Sequence, residues 1–107
     1  MKWMKNLYVS PLMQRDVKKI MWKLNHGAGI LGTYLIILST NEKNQLDIIN
    51  AAYMKQRYYR RREIYVVGLA DSYDDAIQLL MQIVEETYAL TGGADVKSYL
   101  KQREANV

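Results

Sequence analysis

The stretch Arg60-Arg61-Arg62-Glu63-Ile64-Tyr65-Val66-Val67-Gly68-Leu69-Ala70-Asp71-Ser72-Tyr73-Asp74-Asp75-Ala76 decides how this chain reads. A basic run feeds a short apolar segment rich in β-branched residues. That segment stops at Asp71-Ser72, and acidic residues follow at once. Ser72 with Asp75 three positions later is a capping arrangement, and carboxylates in a first turn suit the positive end of a helix dipole. The order is strand over 64–69, tight turn, capped helix, which predicts the centre of a small α/β domain.

Downstream, Ala76, Leu79, Leu80, Ile83, Val84 and Thr87 recur at helical spacing and are expected to face inward. Gln78, Gln82, Glu85 and Glu86 form the outer side, and Thr91-Gly92-Gly93 stops the helix. Asp95 caps a short last helix over 96–102, leaving 103–107 as a frayed tail.

Upstream, Leu7-Tyr8-Val9 reads as a short strand ending at Ser10-Pro11, a cap followed by the residue favoured at the first helical position. Met13, Val17, Ile20, Met21 and Leu24 continue one apolar stripe, with Arg15, Lys18, Lys19 and Lys23 opposite. Asn25-His26-Gly27 closes that helix. The run Thr33-Tyr34-Leu35-Ile36-Ile37-Leu38 suits a strand buried on both faces. A second helix is then expected from 42 or 45 to 59, with Leu46, Ile49, Ala52 and Tyr53 inward. No hairpin signal separates the strands. The chain therefore reads as one α/β domain over 1–107, with three mostly parallel strands in β-α-β-α-β-α order and a short extra C-terminal helix.

Composition narrows the function classes. The 107 residues suffice for one core, half are hydrophobic, and only seven are Gly or Pro. Without cysteine there is no disulfide framework, thiol nucleophile or thiolate metal site. The N-terminal residues lack the apolar core of a secretory signal, and the run 30–38 is too short to span a bilayer. A cytoplasmic protein without a membrane partner is expected.

The net charge of +4 conceals an asymmetry. Residues 1–62 carry twelve Lys or Arg against three Asp or Glu; residues 63–107 carry three against eight. Such a split fits a basic face for an anionic partner, or complementary patches that meet when copies associate. It equally fits two solvated surfaces of opposite sign.

No chemical motif stands out. Gly27-x-Gly29-x-x-Gly32 precedes a strand, the wrong context for a dinucleotide-binding turn. His26 has no second His or Cys as co-ligand, and Asp71, Asp74 and Asp75 suit a helix start without any metal. No metal, cofactor or catalytic group is assigned, and a non-enzymatic role is expected. If all strands are parallel, Ser10, Thr40 and Ser72 share one rim where anions bind, though each also suffices as a simple helix cap.

The basic and aromatic run Lys55-Gln56-Arg57-Tyr58-Tyr59-Arg60-Arg61-Arg62 is the strongest functional lead. Lys55, Arg57, Arg60, Arg61 and Arg62 can pair with phosphates while Tyr58 and Tyr59 stack on bases, or the run can meet a protein partner. Nine tyrosines without a phenylalanine point to half-buried rings, with Tyr53, Tyr58, Tyr59, Tyr88, Tyr99, Trp3 and Trp22 as interface candidates. Open sheet edges favour a homodimer. The reading is a small binding or regulatory module acting through protein contacts, self-association included. Nucleic-acid binding by 55–62 and anion sensing at the rim are the alternatives.

Overall fold

The computed structural model describes residues 1–40, 43–56 and 63–105. Its centre is the segment that the sequence singles out. Strand β4, Tyr65–Ala70, is the most deeply buried element, with five of its six residues out of solvent. It hands the chain through Asp71-Ser72 to helix α2, Tyr73–Thr91. Ser72 caps that helix as its sequence predicts, the Asp75 N–H donating to Ser72 Oγ at 3.1 Å. Gly92 closes it in the left-handed conformation, φ 74°. Ser72→Ala should cost about 1 kcal/mol of stability in a denaturant titration; an unchanged midpoint would show that the cap contributes nothing.

Four strands form the sheet, in the order β1-β4-β2-β3: β1 is Lys2–Val9, β2 is Tyr34–Leu38 and β3 is Leu46–Asn50. Only β1 and β4 run parallel; β2 is antiparallel to both β4 and β3. Three expectations are corrected here. The strands number four, they are mostly antiparallel, and 46–50 is a strand where the sequence reading places a helix.

The physical reason lies in Leu46-Asp47-Ile48-Ile49-Asn50. Leu46 and Ile48 pack with the core on one side of the sheet and Ile49 with the core on the other, the two-residue alternation of a strand. Leu46, Ile49 and Tyr53 also happen to fall at three- and four-residue spacing, which mimics a helix. The helix signal is two short elements in series: Asn50 Oδ1 accepts from the Ala52 N–H at 3.0 Å and starts a 3-10 helix, Ala51–Lys55. Residues 57–62, and with them the expected last turn of that helix, lie outside the described residues.

The first helix also departs from expectation. Pro11–Asp16 is a 3-10 helix, and only Val17–Asn25 is α-helical (α1). Ser10 makes no capping bond, because its hydroxyl is engaged with Asp71. The last helix, α3, runs over Val96–Ala105, past the expected end at 102.

Helices cover both faces. Met13, Ile20, Leu24 and Met54 pack with Leu35, Ile37, Val66 and Leu69 on one side. Ala76, Leu79, Ile83, Val96 and Leu100 pack with Met4, Tyr8, Ile36 and Val67 on the other. The sheet is thus the middle layer of three. Gly68 lets the neighbouring strands fit against β4, since a Cβ there would sit 3.1 Å from the Tyr8 carbonyl oxygen and 3.2 Å from Ile36 Cδ1. Beside it β1 bulges, with Trp3 opposite Val66 and Tyr8 opposite Gly68. Among the described residues, no helix is long and apolar enough to cross a membrane.

Candidate interaction surface

The two edges of the sheet are treated differently. At the β1 edge, Glu104 Oε1 accepts from the Lys5 N–H at 2.7 Å and Arg103 Nη1 donates to the Asn6 carbonyl at 3.2 Å. Two backbone groups of the bulged strand are thus taken up by α3 side chains, which hinders pairing of a new strand there. At its other end α3 donates the Lys97 N–H to Gln45 Oε1 at 3.0 Å, beside the start of β3. The helix therefore crosses one end of the sheet. No described helix runs alongside α2 on its β3 side, where Leu46 and Ile48 are only partly buried.

On that side α2 carries a second apolar stripe. Ala76, Leu79, Ile83 and Thr87 face the sheet. Roughly a quarter turn away stand Tyr73, Ile77, Leu80, Met81, Val84 and Tyr88, at spacings of three and four. Tyr73 is 54% exposed, Met81 53%, Val84 37% and Tyr88 66%, while Ile77 and Leu80 are half-buried. Leu80, Met81, Val84 and Glu85 line a shallow groove of about 320 Å³. The Tyr73 ring meets Tyr34 edge-on, centroids 5.8 Å apart, which fixes the upper end of the stripe. Asp74, Gln78, Gln82 and Glu85 lie exposed beyond it.

The sequence reading names Tyr88 on this surface and misses the rest. Val84 is expected inward and is exposed instead. The available signal was the width of the apolar arc, broader than one sheet face can cover.

The opposite flank of α2 is sealed. Glu86 Oε2 accepts from the Tyr8 hydroxyl and, at 2.7 Å, from the Tyr99 hydroxyl, tying α2 to β1 and α3. The Arg103 guanidinium sits 4.7 Å from the Tyr8 ring centroid. Burial, and next the bond to Glu86, push the Tyr8 phenol well above its ordinary 10.0, and the same causes raise Tyr99. A raised phenol stabilises the fold while protonated. That stabilisation is present below pH 10 and is lost as pH rises toward the folded-state value. Stability should therefore fall above pH 10, and Tyr8→Phe should flatten that fall in alkaline denaturant titrations. An equally steep fall in the variant would remove Tyr8 from the account.

The proposed rim separates. Because β2 is antiparallel to β4, Thr40 lies at the opposite end of the sheet from Ser10 and Ser72. Ser10 is buried; its hydroxyl donates to Asp71 Oδ1 at 3.2 Å and accepts from the Asp71 N–H at 3.3 Å. Asp71 and Asp75 share a hydrogen bond, which lowers the Asp71 carboxyl and raises that of Asp75. Two carboxylates, Asp71 and Asp75, thus stand beside Ser10 and Ser72 at this end of the sheet. Asp71→Ala should return Asp75 toward ordinary carboxylate titration, visible in side-chain carboxyl NMR shifts; an unmoved midpoint would exclude the pairing.

Of the basic run, Lys55 is exposed at the end of its 3-10 helix, whereas Arg57, Tyr58, Tyr59, Arg60, Arg61 and Arg62 lie outside the described residues. Lys55 shares a face of the sheet with α1, for the Ile30 N–H donates to the Ala51 carbonyl at 3.4 Å and Gly29 abuts Ala52. Lys18, Lys19 and Trp22 are exposed on α1, with the Trp22 ring stacked on His26 at 3.9 Å. Trp3 is half-buried and donates to Asn25 Oδ1 at 2.9 Å. Among the described residues, no three His, Asp or Glu side chains converge as metal ligands. No protein-family model matches the chain, and neither a curated protein nor a solved structure matches it.

Proposed function

We propose that the protein is a small non-enzymatic binding module whose contacts with proteins, a second copy of itself included, run through the β3-side flank of α2. The observation that carries this is the second apolar stripe. A 19-residue helix needs one apolar face to hold its place on a sheet; this one has that face and another beside it. A contiguous apolar patch of this kind costs solubility unless something covers it. Its three most exposed residues are Tyr88, Tyr73 and Met81, and both residue types are enriched at protein interfaces. The β1 flank is sealed by Glu86, Arg103 and Glu104 and offers no comparable surface.

A second reading is contact with nucleic acid through the basic side of the sheet. It is supported by the placement of Lys18, Lys19 and Lys55 on one face, opposite α2. Salt separates the two readings. Phosphate contacts release counterions, so nucleic-acid affinity falls steeply with salt. Association through an apolar stripe rimmed by Asp74 and Glu85 should hold or strengthen as salt screens the carboxylates. Sedimentation of the free protein in a salt series, beside titration of a fluorescent single-stranded oligonucleotide, measures both. Self-association that survives high salt favours the first reading. A monomer that binds the oligonucleotide with a steep salt slope, lost when Arg60, Arg61 and Arg62 are replaced by Ala, replaces it with the second.

A further inference from the structure

The apolar stripe is palindromic. Counted from a point between Leu80 and Met81, Tyr73 and Tyr88 are equidistant, as are Ile77 and Val84, and Leu80 and Met81 themselves. An antiparallel copy of the same helix, centred there, would set ring against ring at both ends and aliphatic side chains against each other between. We propose that a second copy of the chain covers this surface, the two α2 helices pairing antiparallel about a two-fold axis that passes between Leu80 and Met81. The inference rests on the self-association reading above and adds its geometry.

Three observations favour a second copy over an unrelated partner. The first is the self-complementarity itself: a two-fold contact uses one patch twice, so residue i must suit residue j and j must suit i. Each of the three pairs meets that condition. The second is area. Two tyrosines exposed over half their surface, with Met81 and Val84 exposed between half-buried Ile77 and Leu80, present roughly 400 Å² of apolar surface. At the usual apolar share of an interface that corresponds to about 700 Å² per partner, near the standard size for a stable complex. The third is closure. A two-fold pair covers both stripes at once and leaves neither open for further growth, whereas docking of the acidic α2 face onto the basic α1 face of another copy would propagate into a chain of molecules.

The charged rim gives the pair a signature. Asp74 of one helix falls within about 3 Å, along the axis, of Glu85 on the other. Both lie on the outer side of the stripe, so two such carboxylate pairs oppose association at low salt and are screened at high salt.

The test uses the absence of cysteine, since any thiol introduced is the sole one in the chain. Met81 lies next to the proposed axis, so a short bismaleimide should join two copies of Met81→Cys. Tyr88 and its symmetry mate stand about 22 Å apart along an antiparallel pair, so Tyr88→Cys should not crosslink to itself. Mixed with Tyr73→Cys, however, it should crosslink in high yield. Sedimentation of the wild-type chain is run in parallel. A wild-type dimer in which Tyr88→Cys crosslinks to itself overturns the antiparallel geometry and leaves the self-association reading standing. So does a wild-type dimer in which no thiol crosslinks, which would place the contact elsewhere. A wild-type monomer at every concentration removes both, and assigns the stripe to a different protein.

Discussion

Met81→Asp should weaken self-association at least about a hundredfold and leave the folded monomer intact. Met81 is half-exposed in the single chain, so a carboxylate there is hydrated before association and the fold itself is little affected. In a two-fold pair each copy brings its own substitution, so every cost counts twice. Desolvating a carboxylate against Leu80 of the partner costs well above 1.4 kcal/mol per site, and two such terms give a hundredfold or more. Sedimentation should show a one-chain mass, while circular dichroism and the denaturant midpoint stay near those of the parent. A variant that still pairs at parental strength would show that the stripe is not the contact.

Ile83→Ala should have the opposite profile, loss of stability without any change of exposed surface. Ile83 sits two positions from Met81 on the same helix but is fully buried between α2 and the sheet, packed with Ile36, Val67 and Leu100. Truncation removes three buried carbons and leaves a cavity that Ala76, the small residue of the same cluster, cannot fill. The expected loss is about 3 kcal/mol, within the range for large-to-small core changes. Urea titration should show a lower midpoint with an unchanged slope. A loss below about 1 kcal/mol would mean that α2 does not pack on the sheet through this face.

The contrast between these neighbouring residues also marks what the sequence could tell. The helix over 73–91 was legible because local chemistry dictated it: Ser72 with Asp75 at one end, Gly92 at the other, and an apolar period between. The strand before it was legible for the same reason. Val84 was misread because periodicity fixes which residues are apolar together, and leaves open whether one neighbour or two will cover them. The sheet order was beyond local chemistry altogether. β4 inserts between β1 and β2, a pairing over more than fifty residues. Leu46 to Asn50 failed differently: five residues hold too few repeats to separate a two-residue period from a helical one, and Tyr53 beyond them tipped the count.

Of the candidate sites, the rim failed with the topology. Ser10, Thr40 and Ser72 share an end only if all strands are parallel, and the antiparallel β2 carries Thr40 away. Tyr88 was expected as a half-buried ring, and it is more exposed than that. Its partners on the stripe became visible only once the fold showed that one lane beside α2 is not covered by a described helix.

Sedimentation equilibrium of the wild-type chain, from micromolar to near-millimolar concentration in moderate salt, is the most direct test. The mass should rise to twice the 12.5 kDa of one chain and stop there. A mass that stays at one chain throughout the range would contradict the proposed pairing.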